Sequence, residues 1–305
     1  MSGKESDFMF IEENKDHFSV TELVKLTGVS RSGYYYWKKT KSARPTREEL
    51  DRPLLEQMQE LYRLNGGTLG NRRYKLALFE HYGITVNLKR IDRMRRTYHL
   101  PLKTQTRAYR LATHEHRTMG NLLNRNFHAI KPGIKFAMDI TYIRANKQSK
   151  FMYLCAIKDL YNGEIVASRI ADHQRVELVL ETLDELKKNG YKKGALIHTD
   201  QGTQFTNGVY LNRLKEMKLT PSMSRRGNCW DNACIESFFG KLKTEMYGFS
   251  TPQTKEQLIE AIHHYIHYYN YIRIQLKLKM SPVSYRLRNT GENTKIATKR
   301  WESIA

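Results

Sequence analysis

The sequence is poor in cysteine and lacks any long apolar run. Its 305 residues include three cysteines, an odd and sparse set that cannot form a disulfide scaffold and that predicts a reducing compartment. No apolar stretch approaches the roughly 18 residues that a membrane-spanning helix needs, and the first residues lack the apolar segment of a secretory signal. We therefore expect a cytoplasmic protein with no membrane partner.

Acidic residues are scarce relative to basic ones. Lysine and arginine number 52 and aspartate and glutamate 31, which gives a formal net charge of +21 and a pI of about 9.8. This imbalance suits a polyanionic partner, usually nucleic acid, although a merely basic soluble protein is the alternative. Hydrophobic residues make up 40% of the chain, so one large domain or two to three small ones can bury real cores.

The first readable unit has the outline of a helix-turn-helix. Ser19 and Glu22 fit a capping box at the start of one helix, Gly28 ends that helix, and Ser30 can cap a second one. In this interpretation the residues that face DNA are Arg31, Ser32, Tyr34 and Tyr35. The alternative is an ordinary helical hairpin in which the aromatic run 34–37 fills a core.

A second helical unit carries a basic face. A helix at about 47–64 leads to a glycine-rich basic turn, whose spacing does not fit a nucleotide-binding loop. The next helix ends at Gly83, and Asn87 caps a further helix on which Leu88, Ile91, Met94 and Tyr98 share an apolar stripe. The basic residues of this unit that we predict to contact DNA are Arg72, Arg73, Lys89, Arg90, Arg93 and Arg96. A solvated surface is the alternative.

After a basic linker the pattern changes to strands. Three strand-like runs with short turns, at 136–143, 151–157 and 165–170, predict an antiparallel meander. A helix, a strand at 195–197, a helix, a strand at 220–224 and another helix follow. This order predicts an α+β or α/β fold of the RNase H-like type, in which helices flank a mixed five-stranded sheet.

Three acidic residues lie where carboxylates can face a cleft. Asp139 lies within the first strand, Asp200 follows a buried strand, and Glu236 lies at the edge of an apolar helical stripe, with thirty-five residues between Asp200 and Glu236. Carboxylate oxygens are the hard ligands that Mg²⁺ prefers, and two such ions can support phosphodiester chemistry from both sides of phosphorus. We predict that these residues are catalytic and bind two Mg²⁺ ions, for which Mn²⁺ can substitute.

Polar and basic residues around Glu236 are candidates for DNA contact. Two arginines lie in the loop before its helix, and Asn232 and Lys243 share a line of that helix with Glu236. The candidates from this region are Arg225, Arg226, Asn228, Asn232 and Lys243. Cys229 and Cys234 lack the further ligands of a zinc site, so we interpret them as reduced thiols.

Several segments resemble the second-frame (OrfB-type) transposases of the insertion-sequence-three family, a family similar to retroviral integrases. The segments that carry the resemblance are 139–142, 198–202 and 228–239, with a C-terminal motif at 269–275 and 280–285. The family usually has tryptophan two or three residues before the first aspartate, where this sequence has Phe136. The change is conservative.

The resemblance implies a DNA transposase with an integrase-like core, associated with the bacterial nucleoid. Such an enzyme nicks one transposon end with water, and the freed 3′-OH attacks the strand flanking the other end, which leads to a DNA circle and then to integration. The implied partners are double-stranded DNA of the terminal inverted repeats and the target, at least one further copy of the chain, and in many relatives an upstream-frame helix-turn-helix protein. Arg273 and Gln275 of the C-terminal motif are additional DNA-contact candidates.

Two other functions stay open: an RNase H-like nuclease, and a non-catalytic DNA-binding regulator. The two helical units favour a transposase over a non-specific nuclease, and the presence of all three carboxylates disfavours a regulator. The predicted domains are a helix-turn-helix unit at 1–45, a second helical unit at 46–103, a basic linker at 104–130, a catalytic core at 131–250 and a helical extension at 251–305.

Overall fold

The protein's contacts divide the chain into two compact units, Met1–Gln57 and Met58–Ala305. A computed structural model describes residues 3–41, 47–103, 121–123, 126–146, 148–224 and 232–291. Throughout these ranges, no helix has the length and apolar character needed to cross a membrane.

The first unit contains one helix that the sequence pattern did not predict, followed by the predicted pair. The helices are α1 (Gly3–Asn14), α2 (Val20–Thr27) and α3 (Arg31–Lys41). The predicted capping box forms, because the Ser19 hydroxyl accepts from the Glu22 amide and the Glu22 carboxylate accepts from the Ser19 amide. Gly28 ends α2 with a φ of 72°, a conformation that glycine adopts without steric cost. Helix α1 was missed because its apolar residues are spread around the helix and form no stripe.

Side chains from the three helices meet in a small core of Ile11, Leu23, Tyr34 and Trp37. Tyr34 is only 1% exposed, and its hydroxyl donates to the Glu12 carboxylate. This placement corrects the prediction that Tyr34 faces DNA. Residues three apart on a helix share a face, so Tyr34 and Trp37 point inward together while the two tyrosines between them stay exposed.

The second unit begins in the last turns of a long helix and continues with the predicted helix pair. These helices are α4 (Arg47–Leu64), α5 (Asn71–Tyr82) and α6 (Leu88–Thr97). Gly83 ends α5 with a φ of 68°, and the Asn87 side chain caps α6 by accepting from a backbone amide at 2.9 Å. Of the predicted apolar stripe, Ile91 and Met94 are fully buried, whereas Leu88 is exposed and Tyr98 is half-buried, so only the centre of the stripe packs inward.

A mixed five-stranded sheet forms the centre of the second unit, as predicted. Its strands are β1 (Lys135–Ile143), β2 (Met152–Asp159), β3 (Ile165–Ala171), β4 (Leu196–Thr199) and β5 (Thr220–Met223). They lie in the order β3-β2-β1-β4-β5, and the first three are antiparallel while β4 runs parallel to both β1 and β5. The connections to β4 and β5 contain α7 (Val176–Asn189) and α8 (Gly208–Glu216), which completes the RNase H-like arrangement.

Alternate side chains of β1 pack into two hydrophobic cores, one on each face of the sheet. Phe136 and Met138 enter the core that α7 and α8 cover, whereas Ala137 and Ile143 enter the core on the opposite face. The helices that follow β5 are α9 (Ala233–Glu245), α10 (Lys255–Tyr271) and α11 (Pro282–Thr290). The apolar stripe predicted for α9 is buried in the second of these cores. That packing fixes the helix that carries Glu236.

A buried charged cluster lies at the end of α9. Arg273 donates from two nitrogens to the Glu245 carboxylate, each at 2.6 Å, and the Tyr265 hydroxyl donates to it at 2.9 Å. A nitrogen of Arg73, at the start of α5, lies 3.5 Å from the same carboxylate. Bidentate pairing of this kind supplies the hydrogen bonds that a desolvated ion pair requires. Both arginines therefore act inside the fold, which corrects their assignment as DNA contacts.

The turn before α5 packs against the backbone that follows α9. A Cβ on Gly248 would lie 2.5 Å from the Gly66 carbonyl oxygen, closer than real side chains approach. Tyr268 of α10 donates to Asn65 at 3.0 Å, and its hydroxyl lies 3.2 Å from that of Thr68. The helices at 58–103 thus share one compact unit with the sheet, although the sequence pattern predicted a separate domain there.

Candidate active site

Asp139 and Asp200 lie on neighbouring parallel strands at the same level of the sheet. The β1–β4 register pairs Ala137 with His198, and extending it by two residues aligns the two aspartates. The β1–β4 ladder ends at the pair of Ala137 and His198, two residues before each aspartate, while the β1–β2 ladder continues to Ile143. The aspartates therefore lie where the two strands separate, the position at which open α/β sheets form clefts.

Each aspartate is fixed by a local backbone hydrogen bond. One carboxylate oxygen of Asp139 accepts from the Ile140 amide at 2.7 Å, and one of Asp200 accepts from the Gly202 amide at 2.8 Å. A Cβ on Gly202 would lie 2.9 Å from that same Asp200 oxygen. Glycine at this position therefore allows the backbone to approach and orient the carboxylate.

The electrostatic environment disfavours ionisation of both aspartates. Burial raises the pKa of Asp139 well above its ordinary value, and the charges of Asp200 and Glu236 raise it further, against the opposing effects of the Ile140 amide and Lys243. Burial also raises the pKa of Asp200, against the hydrogen bond from Gly202. Like charges in a partly desolvated site produce this effect. If both aspartates are ionised, they and Glu236 carry more negative charge than Lys243 can offset.

Glu236 lies in the first turn of α9 and is exposed. The start of α9 is held by Lys158, a buried lysine of β2 whose ammonium donates to the Cys234 carbonyl at 2.9 Å. Burial lowers the pKa of Lys158 to about 8. Sequence reasoning missed this residue, although a lysine directly after the apolar run of β2 is a detectable signal.

The donor chemistry of this site fits a divalent cation. Carboxylate oxygens are suitable ligands, and a bound cation would offset the burial and repulsion that raise the two aspartate pKa values. In the described parts of the chain, no group of three or more histidine, cysteine, aspartate or glutamate side chains is close enough to hold a metal ion. Asp139 and Asp200 are adjacent, whereas Glu236 follows residues 225–231, which lie outside the described ranges.

Known proteins resemble this chain both in the core and over most of its length. Residues 129–229 and 236–289 each match the integrase core domain family. The InsK protein of insertion sequence element IS150 from Escherichia coli is 33% identical, and the alignment covers 90% of this chain and 96% of the relative. The chain belongs to the insertion-sequence-three family of transposases.

Another relative and a solved structure resemble the transposase more distantly. The transposase InsF of insertion sequence IS3A from Escherichia coli is 29% identical over 78% of this chain and 83% of its own. A chain of the simian T-cell lymphotropic virus intasome bound to a regulatory subunit of protein phosphatase 2A covers 70% of each chain at 13% identity, with a TM-score of 0.46.

The first unit of the transposase keeps three of its four predicted DNA contacts at the surface. Arg31, Ser32 and Tyr35 are exposed on α3, whereas Tyr34 is buried. The Arg31 guanidinium lies 5.9 Å from the centre of the Tyr35 ring. An exposed cation beside an exposed aromatic ring is compatible with DNA contact, which stays a prediction for these residues.

The helix pair of the second unit presents basic residues to different degrees. Arg72 and Lys89 are exposed, and Arg96 is exposed but pairs with Asp92 at 2.7 Å on the same helix. Arg90 and Arg93 are half-buried. Arg72, Lys89 and Arg96 are therefore the exposed members of this set.

The remaining candidates for DNA contact lie near α9, next to the buried charged cluster, or outside the described residues. Lys243 is half-buried, and its positive charge lowers the pKa of Asp139. Asn232 is buried directly before α9. The Gln275 side chain accepts from Arg273 at 3.2 Å, so it supports the buried charged cluster. Arg225, Arg226 and Asn228 lie outside the described residues, and DNA contact stays a prediction for them.

Proposed function

We propose that this transposase cuts and joins DNA at the ends of an insertion sequence, and that Asp139, Asp200 and Glu236 form its catalytic site. The observation that carries the proposal is the alignment of two like-charged, partly desolvated aspartates where β1 and β4 separate. A fold alone does not require this costly arrangement, and perturbed carboxylates in a cleft indicate a functional site.

The three carboxylates would hold two Mg²⁺ ions, for which Mn²⁺ can substitute. When bound, such ions neutralise charge on the attacking and leaving oxygens of a phosphodiester. Family membership and the hard oxygen donors support this assignment. Lys243 adds a cation on the same side of the site, where it can bind a neighbouring phosphate of the DNA backbone.

The reaction proposed for this site has two phosphoryl-transfer steps. Water attacks a phosphorus at one transposon end, the bond to the 3′ oxygen breaks, and that oxygen leaves as a free 3′-OH. The 3′-OH then attacks a phosphorus in the strand flanking the other end and releases the equivalent 3′ oxygen there. The branched product leads to a DNA circle, whose ends a second round joins to target DNA.

The DNA partners would be the terminal inverted repeats and the target. Exposed basic and aromatic residues on α3, with Arg72 and Lys89 of the second unit, provide the surfaces for the repeats. Because two ends must be joined, at least two copies of the chain would act together. An upstream-frame helix-turn-helix protein is a further proposed partner.

The test supplies the full chain with Mg²⁺ and linear DNA that bears both ends of the element. We expect joined-end products whose rate falls at least about a thousandfold in Asp200→Asn, because a ligand at the reacting phosphate is lost. Asp172→Asn is the matched control, since its carboxylate is 67% exposed and lies 3.6 Å from Lys255. Cleavage without joining would favour a nuclease, and specific binding without cleavage in Mg²⁺ or Mn²⁺ would favour a regulator.

A further inference from the structure

An exposed aromatic pair lies at the end of the β1–β2 hairpin, beyond the candidate active site. Tyr142 of β1 is 57% exposed and Phe151, just before β2, is 42% exposed. Their ring centres lie 5.0 Å apart with the planes at 78°, so the two rings contact edge to face. Two large aromatic rings side by side at the surface call for an explanation beyond the packing of the hairpin.

Each ring of this pair has a cation beside it. The Lys243 ammonium lies 4.7 Å from the centre of the Tyr142 ring, and the Arg144 guanidinium lies 5.3 Å from that of Phe151. The Tyr247 hydroxyl donates to the Arg144 carbonyl at 3.3 Å, which ties this part of the hairpin to the chain after α9. Aromatic faces next to cations match the needs of a nucleotide, which offers a flat base and an anionic phosphate.

The pair adjoins the edge of β1 near its end, where, among the described residues, only β2 pairs with this strand. The β1–β4 ladder is recorded only to Ala137, so the last residues of β1, including Tyr142, are paired on one side by β2. Lys243 links this edge to the site, because it contacts the Tyr142 ring and follows Glu236 by two turns of α9. Asp139 and Tyr142 are three residues apart on β1, so their side chains leave opposite faces of the strand. Lys243 lies beside the Tyr142 ring and its charge also acts on Asp139, so the aromatic pair is next to the candidate site.

We propose that Tyr142 and Phe151 form a stacking surface for an unpaired base at the DNA end, with Lys243 and Arg144 binding the adjoining phosphates. A base within a duplex has both faces covered by its neighbours, so exposed rings select a nucleotide that has left the stack. This inference rests on the proposed function, because such a nucleotide arises when a transposon end opens beside the scissile phosphate.

The test measures DNA binding in EDTA, where strand cleavage does not interfere. A duplex splayed by four unpaired nucleotides at one end is compared with the fully paired duplex of the same sequence, at fixed salt. We expect the full chain to bind the splayed end about tenfold more tightly, because one base stacked on an aromatic side chain contributes roughly that much affinity. The double variant Tyr142→Leu with Phe151→Leu should bind both duplexes equally and should match the affinity of the wild-type chain for the paired duplex.

Two further variants separate stacking from general effects. Tyr142→Phe keeps the ring and should keep the preference, and Phe79→Leu removes a phenyl that is 59% exposed on α5 and should also leave it unchanged. Equal binding of both duplexes by the wild-type chain, or an undiminished preference in the double variant, would overturn the proposal. If the preference holds while no joined products form with Mg²⁺, the base-stacking surface stands and the proposed function fails.

Discussion

Two groups of charged residues flank α9, and they differ in the charges that they bring together. Near the beginning of the helix, Asp139 and Asp200 align on adjacent strands within electrostatic reach of Glu236. At its last residue, Glu245 is held by two nitrogens of Arg273. The first group concentrates like charge, whereas the second pairs opposite charges.

The pKa shifts of the two groups run in opposite directions. Burial and neighbouring carboxylates raise the pKa of Asp139. Burial alone would raise the pKa of Glu245 as well, but hydrogen bonds and charge from Arg273 and the charge of Arg73 lower it. Glu245 is thus a compensated carboxylate that stabilises the fold, whereas Asp139 and Asp200 form an uncompensated pair that suits the proposed cation site.

The largest expected effect on stability comes from removing the cation of the compensated group. Arg273→Met leaves Glu245 buried without its bidentate partner, so we expect the free energy of unfolding to fall by about 3–5 kcal/mol. Urea denaturation measures the change. Arg213→Met is the control, because its partner Asp184 is half exposed and surface ion pairs contribute about 1 kcal/mol or less.

The comparison also predicts the opposite result at the uncompensated group. Asp139→Asn removes a charge that burial and neighbouring carboxylates disfavour, so the free energy of unfolding should stay the same or rise in the absence of divalent metal. A loss of stability in Asp139→Asn as large as that in Arg273→Met would show that the two groups do not differ as described.

A smaller effect is expected from Gly202→Ala, which tests how the uncompensated pair is oriented. The added methyl group would lie 2.9 Å from an Asp200 oxygen, so the carboxylate must turn away from the Gly202 amide. We expect the joining rate to fall about tenfold with little change in stability, because a misplaced catalytic group slows the reaction.

Gly208→Ala is the matched control for that substitution. Gly208 has ordinary backbone geometry at the start of α8, and a Cβ there would meet nothing within 4 Å. Equal rates for the two alanine variants would mean that contact with Gly202 does not orient Asp200.

The smallest expected effect is the pH dependence of stability that Glu245, the compensated group, contributes. The pKa of Glu245 is lower in the folded than in the unfolded chain, so its ionisation stabilises the fold above its ordinary pKa of 4.5 and this contribution is lost as pH falls through the folded value. The difference in unfolding free energy between the wild-type chain and Glu245→Gln should therefore be constant from pH 6 to 8 and shrink below about pH 4.5. A difference that grows with falling pH would contradict the lowered pKa.

Local sequence patterns predicted most of the elements around the candidate site. Strand-like runs, the Ser19 capping box and the glycines at helix ends each depend on neighbouring residues, so they can be recognised without the fold. Helix α1 was missed because its apolar residues form no stripe, and its core contact through Ile11 depends on the helices that follow. Positions in and directly after strand-like runs made Asp139 and Asp200 candidates, and the sheet brings their strands side by side.

The sequence by itself determined the basic charge, the order of strands and helices and the carboxylates of the candidate site. Only the tertiary structure decided which cations and rings face inward. Arg273 and Arg73 look like surface cations in sequence, yet both reach Glu245, which precedes Arg273 by 28 residues and lies still farther from Arg73. A charge is stable inside a protein only beside a partner that the fold supplies, and no local pattern reveals a partner so distant.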